Sequence, residues 1–351
     1  MYLFFIVFLL LEILLRIYDP FKFRVKANRI ILPGNIQRVI TNNINPRLDS
    51  VIYNSRNSLG FRGPDTSAGF SNQLSIITVG GSTTACQFLD DKKTWPYRLG
   101  EYLKGDFPNL WINNAGLDGH STFGHQVLLN DYIVKLKPKV VIFLTGVNDI
   151  ENDGPSFFDK LHVRNSYPDL LNFIYNNSEV VSLIINLARG ARAQRLNNTT
   201  QEWKRPGSLG ELIMSKEQIS DRLQKQDKYL QQYALRLSRL ADTCIRNNIQ
   251  PIFLTQPNLY GFGVDSVTGV NLETAKVEEN MNGGLLQQLL ELYNARVRQV
   301  CDEKKVPYID LATKMPKNSL YYYDQTHYTN EGAEKVAQIV EEKLKEILGR
   351  H

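Results

Sequence analysis

The 351-residue sequence is poor in the residues that build covalent frameworks and metal centres. Its three cysteines, Cys86, Cys244 and Cys301, are too few and too far apart for a disulfide framework or a Cys-x-x-Cys metal site. His120 and His125 lack acidic companions at ligand spacing, and the sequence contains neither a Gly-x-x-x-x-Gly-Lys loop nor a His-Glu-x-x-His pattern. These absences argue against a metal site and against a P-loop nucleotide site.

The sequence also lacks a strong excess of charge of one sign. It has 41 Lys and Arg residues and 36 Asp and Glu residues, which leaves a formal net charge of +5. Charges so few and so dispersed do not indicate nucleic-acid binding. A hydrophobic fraction of 42% and a charged fraction of 22% are those of an ordinary globular protein.

One long apolar run stands at the N-terminus, from Tyr2 to Ile17, interrupted by Glu12 and Arg16. These two residues are four positions apart, so they can pair on one helix. The run is short for a membrane span of about 20 residues, but aromatic residues follow it. Because no Ala-x-Ala-like cleavage site follows, we predict an uncleaved transmembrane signal anchor over residues 1–21, with an amphipathic or core helix as the alternative.

The remaining chain alternates between apolar runs and helical patterns. Strands are predicted at residues 74–79, 110–113, 140–145, 251–255 and 306–311. This alternation predicts a parallel sheet with helices on both faces. Residues 22–73 are interpreted as a connector packed on the main domain, and residues 74–351 as that domain. The region at about 150–216 breaks the alternation, and we interpret it as an insertion that is either a lid or a surface excursion.

The first predicted strand ends in Gly80-Gly81-Ser82-Thr83, where two glycines permit a tight turn. Ser82 therefore lies at the carboxyl end of a strand, which is where open α/β sheets bind ligands. A serine at this place is either a nucleophile or a helix cap. Cys86 lies four residues later and is a candidate for the lining of the same pocket.

A nucleophilic serine needs a base, and His327 is the best placed of the five histidines. It lies just before the final helical pattern, three residues after Asp324. This spacing lets the carboxylate accept a hydrogen bond from one ring nitrogen while the other nitrogen takes the serine proton. In the alternative interpretation, Asp324 only caps the turn in which His327 packs.

Acyl transfer also needs donors directed at the oxyanion. The loops after the second and third predicted strands supply two candidates: the backbone N–H of Gly116, and the side-chain amide of Asn148. With the N–H of Ser82 itself, they make three predicted oxyanion-hole donors. Each loop taken alone is also a pattern of ordinary turns.

Four motifs together resemble the blocks of the SGNH, or GDSL-type, hydrolases and occur in the order typical of that family. They are Gly80-Gly81-Ser82, Asn114-Ala115-Gly116, Gly146-Val147-Asn148-Asp149 and Asp324-Gln325-Thr326-His327. The resemblance implies a three-layer α/β/α fold, SGNH or flavodoxin-like, with a five-stranded parallel sheet and no cofactor. It implies Ser82 as nucleophile, His327 as base and Asp324 as its orienter. Gly81 stands where the family usually has Asp, and the Gly-Gly-Ser-Thr block resembles a membrane-anchored bacterial branch.

From this resemblance we expect a membrane-anchored serine esterase that acts on acyl esters, chiefly O-acetyl groups, of cell-surface glycans or lipids. An O-acyltransferase that modifies polysaccharide and a non-catalytic binding or scaffold protein are the alternatives. The expected partners are the acylated substrate and a membrane, reached through residues 2–17. Basic residues after the apolar run favour a cytoplasmic body, but a substrate at the cell surface requires the opposite, and we expect the extracytoplasmic side.

Overall fold

The centre of the molecule is a parallel sheet of five strands. The computed structural model describes residues 2–18, 25–26, 29–30, 32–43, 45–67, 69–155, 159, 173–174, 177–185, 187 and 206–349. Along the chain the strands are β1 (Val25–Lys26), β2 (Arg29–Ile30), β3 (Ile36–Thr41), β4 (Val51–Arg56), β5 (Leu74–Gly80), β6 (Leu110–Asn114), β7 (Val140–Leu144), β8 (Gln250–Leu254), β9 (Lys276–Glu278), β10 (Met281–Asn282) and β11 (Tyr308–Ile309). The main sheet has the order β11-β8-β7-β5-β6, with every neighbouring pair parallel.

Helices cover both faces of this sheet, so the predicted three-layer α/β fold with a five-stranded parallel sheet is confirmed. The helices are α1 (Tyr2–Ile17), α2 (Ser82–Ala85), α3 (Trp95–Leu103), α4 (Thr122–Leu128), α5 (Val134–Leu136), α6 (Lys216–Gln224), α7 (Asp227–Arg246), α8 (Gly283–Lys304), α9 (Leu311–Lys314) and α10 (Asn330–Leu348). A π-helical turn, Leu129–Ile133, joins α4 to α5. Short 3-10 turns occupy Phe70–Asn72, Asp91–Lys93 and Val147–Asp149.

The side chains of β7 show how the layers form. All five are buried, and they alternate between the two faces. Val140, Ile142 and Leu144 join the core that includes α3 and α10, while Val141 and Phe143 join the core that includes α4 and α7. A parallel strand that is buried on both faces needs an uninterrupted apolar sequence, which is why the strand signal was visible in the sequence.

The N-terminal run forms the predicted helix, but the structure does not support a transmembrane anchor over residues 1–21. Helix α1 has 16 residues, fewer than the roughly 20 that cross a bilayer. Within the described ranges, no helix is long and apolar enough to span a membrane.

The segment predicted as a connector contributes two antiparallel hairpin pairs, β1 with β2 and β3 with β4. It also pairs with the main sheet through an isolated antiparallel bridge between Arg62 and Asn114. The predicted insertion at 150–216 lies largely outside the described residues, and the predicted domain boundaries remain predictions.

Candidate active site

Ser82, His327 and Asp324 form a chain of hydrogen bonds beside the carboxyl end of β5. His327 Nε2 lies 2.7 Å from Ser82 Oγ, and His327 Nδ1 lies 2.7 Å from Asp324 Oδ2. The backbone N–H groups of His327 and Thr326 donate to Asp324 Oδ1 at 2.8 and 2.9 Å. The ring of Tyr323 stacks on the imidazole, with centroids 5.5 Å apart and planes 7° apart. The imidazole therefore has a fixed plane and one nitrogen directed at the serine.

The charges of Asp324 and His327 support proton transfer from Ser82. Burial lowers the pKa of His327, but the negative charge and hydrogen bond of Asp324 outweigh burial and raise this pKa above its ordinary value. Burial raises the pKa of Asp324, whereas His327 and the two backbone N–H groups lower it further, so the net shift is downward. The carboxylate is ionised at neutral pH and stabilises the imidazolium that forms when His327 takes a proton.

The loop that carries His327 is held at both ends. The backbone N–H of Leu259, in the loop after β8, donates to Gln325 O at 2.9 Å. Thr329 caps α10 by accepting from the N–H of Gly332 at 3.1 Å. The start of α10 and the end of β8 thus fix the turn that presents His327 to Ser82.

Ser82 is the first residue of α2, and Gly81 is the residue that links this helix to β5. Gly81 has φ −80° and ψ −151°, which a residue with a side chain can also adopt. A Cβ at this position would lie 2.4 Å from Asn148 Nδ2 and 3.1 Å from His120 O. Glycine is required here by the close approach of these two atoms. The chain also passes from β5 to α2 at this residue, as the predicted tight turn requires.

The side chain of Asn148 is fixed beside the nucleophile loop. It lies in the 3-10 turn Val147–Asp149 that follows β7, and its Nδ2 donates to His120 O at 2.9 Å. An amide nitrogen carries two protons. One proton is donated to the carbonyl oxygen of His120 and orients the group, and the amide nitrogen carries a second proton.

Gly116 has a different environment from the one predicted. Its N–H donates to Asn114 Oδ1 at 2.8 Å, so this donor already has an acceptor. A Cβ at Gly116 would lie 2.4 Å from the backbone N of Ala85. Gly116 thus permits the second loop to pack directly against α2, the helix that begins with Ser82.

A buried ion pair supports the Asn148 turn from behind. Asp149, which is 1% exposed, accepts from the N–H and Oγ1 of Thr122 at 3.1 and 2.5 Å. Arg236 of α7 lies 3.4 Å from the same carboxylate and stacks 4.0 Å over the ring of Phe123. Burial raises the pKa of Asp149 to about 6, against the lowering effect of Arg236 and Thr122. Sequence reasoning assigned no role to Arg236, because nothing local marks it.

A second buried cation supports the backbone of residues 85–89, which follow Ser82. Arg62, which is 5% exposed, donates to the carbonyl oxygens of Ala85 and Cys86 at 2.8 Å and of Leu89 at 2.9 Å. Its Nε also donates to Asp91 Oδ1 at 2.8 Å. Ala85 is the last residue of α2, and Cys86 and Leu89 lie in the loop that follows it. Arg62 itself comes from the predicted connector.

The other candidates have no direct place in the hydrogen-bonded chain. Burial raises the pKa of Cys86 to about 12 and lowers that of His125 to about 4, so the thiol and the imidazole are both neutral at working pH. Across the described part of the chain, no three His, Cys, Asp or Glu side chains are grouped as metal ligands require. His162 and His351 lie outside the described residues.

Comparison with known proteins places this site in context. The model of the GDSL-like lipase/acylhydrolase family matches residues 77–335. Among solved structures, an acetylxylan esterase from Geobacillus stearothermophilus is 13% identical, with a TM-score of 0.44, over 77% of this chain and 93% of that chain. A GDSL-like lipase from Bacteroides thetaiotaomicron VPI-5482 is 11% identical, with a TM-score of 0.41, over 81% of this chain and 93% of that chain. An α/β hydrolase enzyme from the metagenome of Lake Arreo, Spain, is 13% identical, with a TM-score of 0.43, over 76% of this chain and 92% of that chain. The search of curated proteins found no match.

Proposed function

Because the chain belongs to the GDSL-like lipase/acylhydrolase family, we propose that it is a serine esterase with Ser82 as nucleophile, His327 as base and Asp324 as orienter. The observation that carries the proposal is the continuous chain from Ser82 Oγ through both ring nitrogens of His327 to Asp324, with each link at 2.7 Å. If Asp324 only capped the turn, or if His327 only packed there, one of these two hydrogen bonds would be enough. Proton transfer from a serine needs both, because the base must contact the hydroxyl and be oriented by the carboxylate.

The acylation step follows from this geometry. His327 Nε2 takes the Ser82 proton as Oγ attacks the ester carbonyl, and the carbonyl electron pair moves onto oxygen to form the tetrahedral oxyanion. Collapse of this intermediate re-forms the carbonyl and breaks the bond to the alkoxy group, which leaves with the proton from His327. The product of this half-reaction is an acyl-Ser82 ester and a free alcohol.

Deacylation repeats the same steps with water. His327 removes a proton from water, the resulting hydroxide attacks the acyl-Ser82 carbonyl, and the intermediate collapses as Ser82 recovers its proton. The products are a carboxylic acid and free enzyme. Transfer of the acyl group to a sugar hydroxyl instead of water remains a prediction from the sequence.

For the oxyanion we propose the N–H of Ser82 and the Nδ2 of Asn148 as donors. The N–H of Gly116, which was predicted as the third donor, already donates to Asn114 Oδ1. We propose the N–H of Gly119 as the third donor instead. Gly119 has φ +69° and directly precedes His120, whose carbonyl orients Asn148. Its N–H has no acceptor among the described residues, so it is available to a reacting oxygen.

The proposed substrates are acyl esters, chiefly O-acetyl groups, of cell-surface glycans or lipids. The apolar helix α1 supports this choice, since it suits a protein that works beside a membrane, and we propose that the catalytic body lies on the extracytoplasmic side. A tag at the C-terminus tests the location: protease added outside intact cells should remove it. Protection of the tag until the cells are lysed would place the body inside.

Labelling with a fluorophosphonate probe and hydrolysis of an aryl acetate test the catalytic assignment. Wild type is expected to show both activities, and Ser82→Ala and His327→Ala are expected to lose both. His125→Ala is the matched histidine control and should retain most of the labelling. Equal behaviour of wild type and Ser82→Ala would eliminate the esterase proposal, and loss in His125→Ala with retention in His327→Ala would overturn the choice of base.

A further inference from the structure

Glu12, in the middle of the apolar helix α1, caps another helical segment. Its Oε2 accepts from Ser178 Oγ at 2.9 Å and from the N–H of Val180 at 3.1 Å, and its Oε1 accepts from the N–H of Glu179 at 2.8 Å. Residues 179–185 are helical. A carboxylate from a distant part of the chain therefore satisfies the free N–H groups at the start of this segment.

Arg16 strengthens the same contact. It donates to Glu12 Oε1 through Nε at 3.1 Å and through Nη2 at 2.9 Å, and to Asn177 O at 2.5 Å. Glu12 and Arg16 are the two charged residues of α1. Both are used to hold residues 177–180, and the Glu12 side chain is only 16% exposed. We call this set of contacts the Glu12 latch.

The two segments joined by the Glu12 latch leave much apolar surface exposed. On α1 the side chains that are at least 43% exposed are Tyr2, Leu3, Phe5, Ile6, Val7, Leu9, Leu10, Leu11, Ile13, Leu14 and Ile17. On the second segment Ile184 and Leu187 are 61% and 50% exposed. A contiguous apolar surface larger than a few hundred Å² marks an interaction site for protein or membrane.

The sequence that follows each segment indicates which partner fits. After α1, residues 18–48 contain one acidic residue, Asp19, and six basic residues, Lys22, Arg24, Lys26, Arg29, Arg38 and Arg47. After the second segment, residues 188–201 contain three arginines and no acidic residue. Apolar helices flanked by basic residues complement a bilayer whose headgroups are anionic.

We propose that α1 and residues 177–187 dock together, as one pair held by the Glu12 latch, on the surface of an anionic phospholipid bilayer. This rests on the proposal above that the protein works beside a membrane, and it adds the contact of α1 with the bilayer, the second segment and the Glu12 latch. The latch removes the main obstacle to such docking, because the one carboxylate of α1 accepts from three polar groups of the second segment and Arg16 donates to a fourth, the carbonyl oxygen of Asn177.

Fluorescence of an environment-sensitive label on the full-length chain tests the pair. The described cysteines Cys86, Cys244 and Cys301 are all buried, so a cysteine placed at an exposed position can be labelled selectively. Labels at Leu14→Cys in α1 and at Ile184→Cys in the second segment are expected to shift to the blue when phosphatidylglycerol vesicles are added. Leu235→Cys, which replaces a side chain 49% exposed on α7, is the control and should not shift. With phosphatidylcholine vesicles, partitioning should be at least about tenfold weaker.

Glu12→Ala separates the two parts of the proposal. In this background the label at position 184 is expected to lose its shift while the label at position 14 keeps it, and Glu12→Gln should restore part of the shift at 184. A shift at 14 but none at 184 in the wild-type background would overturn the docked pair and leave the attachment of α1 standing. Absence of both shifts would overturn both, and equal binding to the two lipids would overturn the choice of an anionic bilayer. None of these outcomes depends on esterase activity.

Discussion

Replacement of Gly81 by alanine is expected to inactivate the enzyme through Asn148, although neither residue is the nucleophile. The new Cβ would lie 2.4 Å from Asn148 Nδ2, closer than non-bonded atoms approach, and 3.1 Å from the carbonyl oxygen of His120. The backbone at Gly81 has negative φ, so alanine causes no conformational strain of its own. The amide of Asn148 is the group that moves, because it is the end of a side chain.

The size of the effect follows from the role proposed for Asn148. Loss of one oxyanion donor lowers kcat by roughly 10²–10³, or about 2.7–4 kcal/mol of transition-state stabilisation. Gly81→Ala should show a loss of this size in kcat for an aryl acetate, with little change in KM. Asn148→Ala should show the same loss, and it also removes the atom with which the new methyl group collides.

The double variant Gly81→Ala/Asn148→Ala should therefore be about as active as either single variant, because the two changes remove one interaction. Gly105→Ala is the matched control, since a Cβ at Gly105 meets no atom within 4 Å. Thermal unfolding of each variant separates misfolding from loss of the donor. Wild-type kcat in folded Gly81→Ala, or losses that multiply in the double variant, would refute the reasoning.

Substitutions at three further positions test the support of the site. Asp324→Asn should lower kcat by roughly 10⁴ and move the acidic limb of the kcat/KM profile to lower pH, because Asp324 raises the pKa of His327 and the base must be neutral to act; an unmoved limb would contradict this. Arg236→Met should cost about 3–5 kcal/mol of unfolding free energy at pH 8, because it leaves a buried carboxylate unpaired, and less at pH 5, where Asp149, whose pKa is about 6, is protonated; an equal loss at both pH values would oppose the pairing. Arg62→Met should lower stability in urea unfolding by about 3–5 kcal/mol, and Arg62→Lys should recover only part, because an ammonium cannot span three carbonyls and a carboxylate; full recovery would show that charge alone matters.

The fold was predictable because its signals are local. A parallel strand buried on both faces is an unbroken apolar run, and Val140–Leu144 could be recognised as one without knowledge of its neighbours. The turn from Asp324 to His327 is also local, since both backbone N–H groups that fix the carboxylate lie within three residues of it. Strand ends and short spacings, together with the resemblance to the SGNH hydrolases, pointed to Ser82, His327 and Asp324, which the structure joins by hydrogen bonds.

The supports of the site were not predictable for the opposite reason. The group that orients Asn148 is the backbone carbonyl of His120, and the type of a residue says nothing about its carbonyl. Arg236 reaches Thr122 across 114 positions of the sequence. Arginines on an amphipathic helix are usually solvated, so only the three-dimensional packing distinguishes this one.

Gly81 shows how a residue that is predicted from a local turn can also answer to a distant contact. Its neighbours in sequence indicated a turn, which glycine permits, and the chain does pass from β5 to α2 here. The structure adds a contact with Asn148, 67 positions away in the sequence. A side chain at position 81, including the Asp that the resemblance led us to expect there, would occupy the space in which the amide now lies. The glycine and the proposed oxyanion donor are therefore coupled through one shared volume, and a change at either position alters what the other can do.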